Sequence, residues 1–372
     1  MGALAIGLLS YLALWVAVTT AARGRRGRWE VNPIAVIYRF GGSMEPLRGR
    51  GARAISRASY ASVALAYALM AFFYYTILAT FWARYVARLP GSSSLGVVPL
   101  IPGVTVPLSV LPHFLVALGI AAAVHELAHA LVARAEGLRV KNVGVALFIV
   151  VPAAFVELDE EELAKAPLSS RLKVYSAGVT ANLILYLLLL GIASAAPCSA
   201  FSHGVTIIGV APESPAAHAV MPGGLPANIT RGDVIIAVNG EKISCIQDLA
   251  RVFEEAGVKN PRKAVNLTLT LVRDGKHLNV TVYKGVNETM IGITIVNNFT
   301  LAGILLYSSL LLNFALALIN AGPLFITDGA KMLEDLLVRL QGSQGKIVSL
   351  GLQSATVLLL LSLLTIRPIL PG

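Results

Sequence analysis

The stretch SVLPHFLVALGIAAAVHELAHALVA, Ser109–Ala133, decides how this chain is read. It is apolar almost throughout and long enough for a helix across a bilayer core, which takes about 20 residues. Yet it contains His125, Glu126 and His129. Residues four apart share a helix face, so both imidazoles can address one metal ion. Glu126, one place along, is set to act as general base on a metal-activated water. Such polar groups inside an apolar span are costly unless paired or ligated, which favours a functional site over a polar cluster that only packs helices. Arg134 follows within about two turns, which places the expected site in the cytoplasmic half of the bilayer.

Composition agrees with a membrane setting. Of 372 residues, 56% are hydrophobic and 13% charged, with a mean hydropathy of +0.74, whereas soluble domains carry about 25% charged residues. Besides Ser109–Ala133, the segments Ala3–Ala22, Ser59–Trp82, Lys173–Ala195, Leu301–Asn320 and Ile347–Ile366 are apolar enough to span. The first lacks a basic leader and is followed by Arg23, Arg25, Arg26 and Arg28, so a retained helix with its N-terminus outside is expected. The net charge of +10 sits beside apolar segments rather than in a basic stripe interleaved with aromatics, which fits the positive-inside rule and excludes nucleic acid as a partner. Arg23–Arg57, the loop carrying Arg134, Arg139, Lys141, Lys165 and Arg171, and the Lys331–Lys346 region are then cytoplasmic.

By alternation, the polar stretch from about Pro197 to Asn298 lies outside. Both cysteines, Cys198 and Cys245, fall there, where a disulfide can persist, although the sequence leaves their pairing open. The Asn-x-Thr triplets at Asn228, Asn266, Asn279, Asn287 and Asn298 also start there, with their glycosylation left open. From Gly204 the pattern shifts to short β-rich runs, Val205–Val210, Asp233–Val238, Val265–Arg273 and His277–Tyr283, with a helical run at Gln247–Ala256. The last two strands flank Asp274-Gly275, a hairpin signal. Val143–Val156 is apolar, β-branched, broken by Pro152 and short for a span, so a re-entrant or interfacial segment is expected. The acidic run Glu157–Glu162 reads as a solvated turn.

A site built on His125 and His129 needs a third protein ligand. Of the other histidines, His203, His218 and His277 belong to the outside stretch, and His113 lies roughly 18 Å along the helix from His125. A carboxylate is therefore expected. Asp328 follows the Gly322-Pro323 break after the fifth span, which can turn it inward. Its other reading, a helix N-cap, stays open on the residues alone.

His125-Glu126-x-x-His129 and Asn320-x-x-Pro323-x-x-x-x-Asp328-Gly329 together resemble the paired signatures of the site-2 proteases, a family of intramembrane zinc metalloproteases. Ala177-Gly178-x-x-x-Asn182 is similar to a third family motif, with Val179 where the family has Pro, and Pro152–Val156 resembles the substrate-holding membrane hairpin. The resemblance implies one zinc ion on His125, His129 and Asp328, Glu126 as catalytic base, and Asn320, Asn182 and Phe155 as substrate-positioning residues. It implies single-span membrane proteins as substrates. Residues 204–296, through Arg231–Gly240 and the preceding Ala211–Ala216, resemble a PDZ domain, which implies capture of a peptide or C-terminus. The expected fold is thus a polytopic α-helical membrane protein of about six transmembrane helices with a re-entrant β-hairpin and an inserted α+β domain. Residues 1–200 and 299–372 form its membrane regions. Two other readings are a non-catalytic scaffold with a structural metal, which calls for four protein ligands, and a transporter, which calls for internal repeats.

Overall fold

The computed structural model describes residues 2–92 and 95–366. The chain begins with α1 (Gly2–Ala21), strands β1 (Gly24–Arg26), β2 (Trp29–Asn32) and β3 (Ala35–Arg39), and α2 (Gly49–Phe81), which runs on into a π turn at Trp82–Val86. Then come α3 (Leu111–Ala135), β4 (Val140–Phe148), β5 (Val151–Leu158), α4 (Glu160–Lys165) and α5 (Leu168–Ala195). They are followed by β6 (Ser202–Val210), β7 (Val234–Val238), β8 (Glu241–Lys242), α6 (Ile246–Ala256), β9 (Val265–Arg273), β10 (Lys276–Lys284) and β11 (Ile293–Phe299). The last elements are α7 (Leu301–Ala321), α8 (Asp328–Gln341) and α9 (Ser343–Ser362). Two compact units result, one from the segments up to Leu190 and from Ser308 on, the other from Gly191–Tyr307.

The first unit is a polytopic helical membrane domain. Among the described residues, Gly49–Val86, Leu111–Ala135, Leu168–Ala195, Leu301–Ala321 and Ser343–Ser362 are long and apolar enough to cross a membrane. The remaining expected span forms α1, whose side chains are described from Tyr11 onwards. Tyr75, Leu78, Val116, Ile120, Leu188 and Leu358 stand exposed on the helices. Apolar surface of that extent is unfavourable against water and neutral against lipid tails. Buried contact positions are small instead, with Ala117 and Ala121 on α3, Gly178 on α5 and Ala317 and Ala321 on α7. Small residues let helix backbones approach closely, which is what brings polar groups from three helices to one point.

The expected hairpin at Val143–Val156 is wider, and it is not alone. β4 and β5 pair antiparallel from Val140↔Leu158 to Phe148↔Val151 and form one edge of a five-stranded sheet ordered β1-β2-β3-β4-β5. The basic segment Arg23–Arg57, expected as a loop, contributes the other three strands. Its arginines obscure the β-favouring Trp29–Val31 and Ala35–Tyr38, which are joined by a turn in which Asn32 Oδ1 accepts from the backbone N–H groups of Ile34 and Ala35. Gly144 has no side chain where the Phe155 ring and Tyr38 carbonyl press against it, so Phe155 can lie across the β4 backbone.

The second unit is a sheet ordered β10-β9-β7-β6-β11, with β8 on β7, and one helix, α6. The four strands, helix and hairpin read from sequence correspond to β6, β7, β9, β10 and α6; β8 and β11 have no counterpart in that reading. The β9–β10 turn has positive φ at Asp274 (49°) and Gly275 (75°), the geometry that two-residue hairpins require. Val265, Leu267, Leu269 and Leu271 alternate inward, each contributing roughly 1.5–3 kcal/mol on full burial. Asp233 receives two hydrogen bonds from Arg273, at 2.6 and 2.7 Å, and one from Thr230 N–H at 2.8 Å. Burial works to raise its pKa, but Arg273 and Thr230 hold it below the ordinary carboxylate range. Cys198 and Cys245 are joined in a disulfide that ties the segment after α5 to the start of α6.

Candidate metal centre

His125 and His129 lie one helical turn apart on α3, both buried, with ring centroids 4.8 Å apart. Their Nε2 atoms are 3.1 and 3.2 Å from the same oxygen, Oδ2 of Asp328. Asp328 is the first residue of α8 and is not its cap. Thr327 is the cap, accepting from Ala330 N–H, while its hydroxyl also donates to Gly322 O and accepts from Leu324 N–H. These bonds fix the Gly322–Thr327 loop and hold Asp328 towards α3. Gly322 and Gly329 permit the tight path, because a Cβ on the first would press into the Phe73 ring and on the second into the Ala321 carbonyl.

Each imidazole makes its other bond to an amide oxygen. His125 Nδ1 lies 2.6 Å from Asn182 Oδ1, and His129 Nδ1 lies 2.7 Å from Val174 O. A carbonyl oxygen only accepts, so Nδ1 carries a proton, and in the neutral ring Nε2 is then the atom with a lone pair to offer. Two Nε2 atoms and a carboxylate oxygen thus converge on one point, a donor set that suits a divalent cation. Gly178 on α5 leaves the space for one. A Cβ there would lie 2.5 Å from Nε2 of both histidines and from His125 Cε1. Two imidazoles and one carboxylate match a three-ligand zinc site with a position left for substrate chemistry. A second convergence, Cys198, Cys245 and Asp248, has its two thiols committed to the disulfide.

A cavity of about 490 Å³ opens over this cluster, lined by His125, Glu126, His129, Phe155, Asn320 and Asp328. Glu126 is half-buried, and its Oε2 accepts from the Val156 N–H of β5 at 3.1 Å. Asn320 donates one N–H to Leu316 O within α7 and lies on the cavity wall. Phe155 projects from β5, its ring centroid 5.9 Å from the Arg39 guanidinium carbon. Asn182 is placed elsewhere: it is fully buried and touches the His125 ring in place of the cavity.

Other residues that line the cavity have no mark in the sequence. Arg39 and Lys331 stand on the cavity wall, but they carried no signal apart from the general run of basic residues. The acidic run, expected as a solvated turn, is ordered. Asp159 caps α4 by accepting from Glu161 and Glu162 N–H, and Glu157 and Glu160 face the cavity.

Residues 113–363 match the model of peptidase family M50. The chain is 30% identical over 273 residues to an uncharacterized protein of Methanocaldococcus jannaschii, covering 70% of this chain and 66% of that one. It is 28% identical over 174 residues to a membrane-bound transcription factor site-2 protease homolog of Arabidopsis thaliana, covering 45% of this chain and 32% of the relative. The matched portion is thus less than two thirds of either relative's length.

Proposed function

This chain belongs to peptidase family M50, the site-2 protease family, and from that premise we propose that it is a zinc-dependent endopeptidase that cuts single-span membrane proteins within their membrane segments. The observation that carries the reading is the convergence of His125 Nε2, His129 Nε2 and Asp328 Oδ2 beneath a polar cavity that Glu126 also lines.

His125, His129 and Asp328 would hold the ion, their Nδ1–H bonds to Asn182 and Val174 orienting the two rings. When bound, zinc supplies Lewis-acid activation of water and of the scissile carbonyl. Glu126 takes the proton of the attacking water on a carboxylate oxygen and passes it to the leaving amide nitrogen. The Val156 N–H, bonded to Glu126 Oε2, holds that carboxylate towards the cavity. Asn320 on the cavity wall has an amide suited to a substrate carbonyl.

A transmembrane helix hides its peptide bonds in its own hydrogen bonds, so the substrate must unwind. β5 is the terminal strand of its sheet and borders the cavity through Phe155 and Val156. An unwound segment held along it would present a bond to Glu126. The second unit fits a PDZ-type module: β11 ends its sheet, and an apolar groove lined by Leu249, Phe253, Ile293 and Ile295 lies between β11 and α6. We place this unit outside the cell, where its disulfide persists, and the catalytic centre in the cytoplasmic half of the bilayer.

The test is proteolysis of a single-span substrate by the purified chain in liposomes. Chelation is expected to abolish cleavage and added zinc to restore it. Cleavage undiminished under chelation would overturn the metal-dependent reading.

A further inference from the structure

Asn182 shares its side-chain amide among three partners. Its Oδ1 meets His125 Nδ1 at 2.6 Å, and its Nδ2 donates to Ala121 O at 3.0 Å and to Asn313 Oδ1 at 2.8 Å. Asn313 lies on α7 and is fully buried. Its own Nδ2 donates to Ser309 O at 2.8 Å, which leaves Oδ1 as the end turned to Asn182. Every bond in this chain therefore has a defined direction. Ser309 O accepts from Asn313, Asn313 accepts from Asn182, and Asn182 accepts from the Nδ1–H of His125.

Direction matters because an amide looks alike in shape from either end. Were Asn182 flipped, its NH2 would face Nδ1, which could then only accept, and the ring proton would move to Nε2. A protonated Nε2 cannot bind a metal. The flip is opposed by Ala121 O and Asn313 Oδ1, two acceptors that would then face an oxygen. In a buried membrane interior with no water to compensate, such a mismatch is costly.

From this we infer that Asn313 is a positioning residue for the metal centre: it fixes the Asn182 amide so that His125 presents Nε2. The inference rests on the metalloprotease reading for its purpose, but its structural content is independent of that reading.

Two variants separate this role from space-filling. Asn313→Leu keeps a similar volume but removes the acceptor. Asn313→Asp keeps an oxygen for Asn182 and, when protonated, a donor for Ser309 O. Zinc affinity of the detergent-solubilised full chain is measured by chelator competition, and the His125 tautomer by nitrogen NMR of metal-free, histidine-labelled protein.

Asn313→Leu is expected to weaken zinc binding by about 10-fold, the lower end for an outer-shell contact because Ala121 O remains. It should also mix the His125 tautomers, while Asn313→Asp stays near wild type in both readouts. A purely structural residue predicts the reverse order, with Leu tolerated and Asp harmful. Equal zinc affinity and a pure Nδ1–H tautomer in Asn313→Leu would overturn the inference, as would equal losses in both variants. If wild type itself bound no zinc, the metalloprotease reading would fail, and the tautomer comparison would still decide the role of Asn313.

Discussion

Replacing Glu126 with Gln is expected to slow cleavage of a membrane-spanning substrate by about 10³-fold, within the range for a lost general acid–base group, while zinc content is unchanged. Gln matches Glu in shape, and its Oε1 can still accept from the Val156 N–H that now meets Glu126 Oε2 at 3.1 Å. What it lacks is the capacity to take a proton from water and return it to the departing nitrogen. The metal content should hold because the three converging donors come from His125, His129 and Asp328. Initial rates in liposomes and metal analysis of the same preparations check both halves. A rate within a few fold of wild type would remove Glu126 from the chemistry, and a loss of zinc would make it a ligand.

The second large effect is expected at Gly178. Within a helix, Gly→Ala ordinarily stabilises by roughly 1 kcal/mol, so a purely local view predicts a harmless or helpful change. The structure predicts the opposite for binding, because the added methyl would stand 2.5 Å from Nε2 of His125 and of His129. Gly178→Ala is expected to lower zinc affinity by more than about 100-fold, beyond the usual range for an outer-shell contact. The metal-free protein should also melt lower than wild type, because the same close approach is to ring atoms present without metal and overpacking of about 1–3 kcal/mol outweighs the helical gain. Chelator competition and melting in chelator measure the two quantities separately. Zinc affinity equal to wild type would mean that α5 does not approach the histidines as described.

Much of the fold was legible in the chain because hydrophobic length and helical spacing carry directly into three dimensions. Five apolar segments form long helices, the runs flanking Asp274-Gly275 form a hairpin, and the Val143–Val156 segment, read as re-entrant or interfacial, lies in the β4–β5 strand pair. His125, Glu126 and His129 could be read because one local helix carries all three. Asp328 is legible by elimination and through the Asn320-x-x-Pro323-x-x-x-x-Asp328-Gly329 motif, while its meeting with histidines about two hundred positions away is visible only in the fold. The strands at Trp29–Arg39 were missed because charge dominated the reading of that segment, although its alternation and Asn32-Pro33 turn were present. Other contributions have no side-chain signature at all. The Val156 donor is a backbone N–H, and Gly178 matters for the atom it lacks. Asn182 is marked in the sequence only by its motif, as a substrate-positioning residue, and Asn313 reads as an ordinary polar residue until the helices are assembled and the direction of their hydrogen bonds can be followed.

Two histidines of one helix and a distant aspartate are proposed to hold one zinc ion together. Zinc stoichiometry, measured on wild type and on Asp328→Ala purified and washed alike, tests this proposal most directly. One ion per chain is expected in wild type and strong depletion in Asp328→Ala, since a three-ligand site that loses a ligand retains metal poorly. Equal zinc in the two proteins would contradict it.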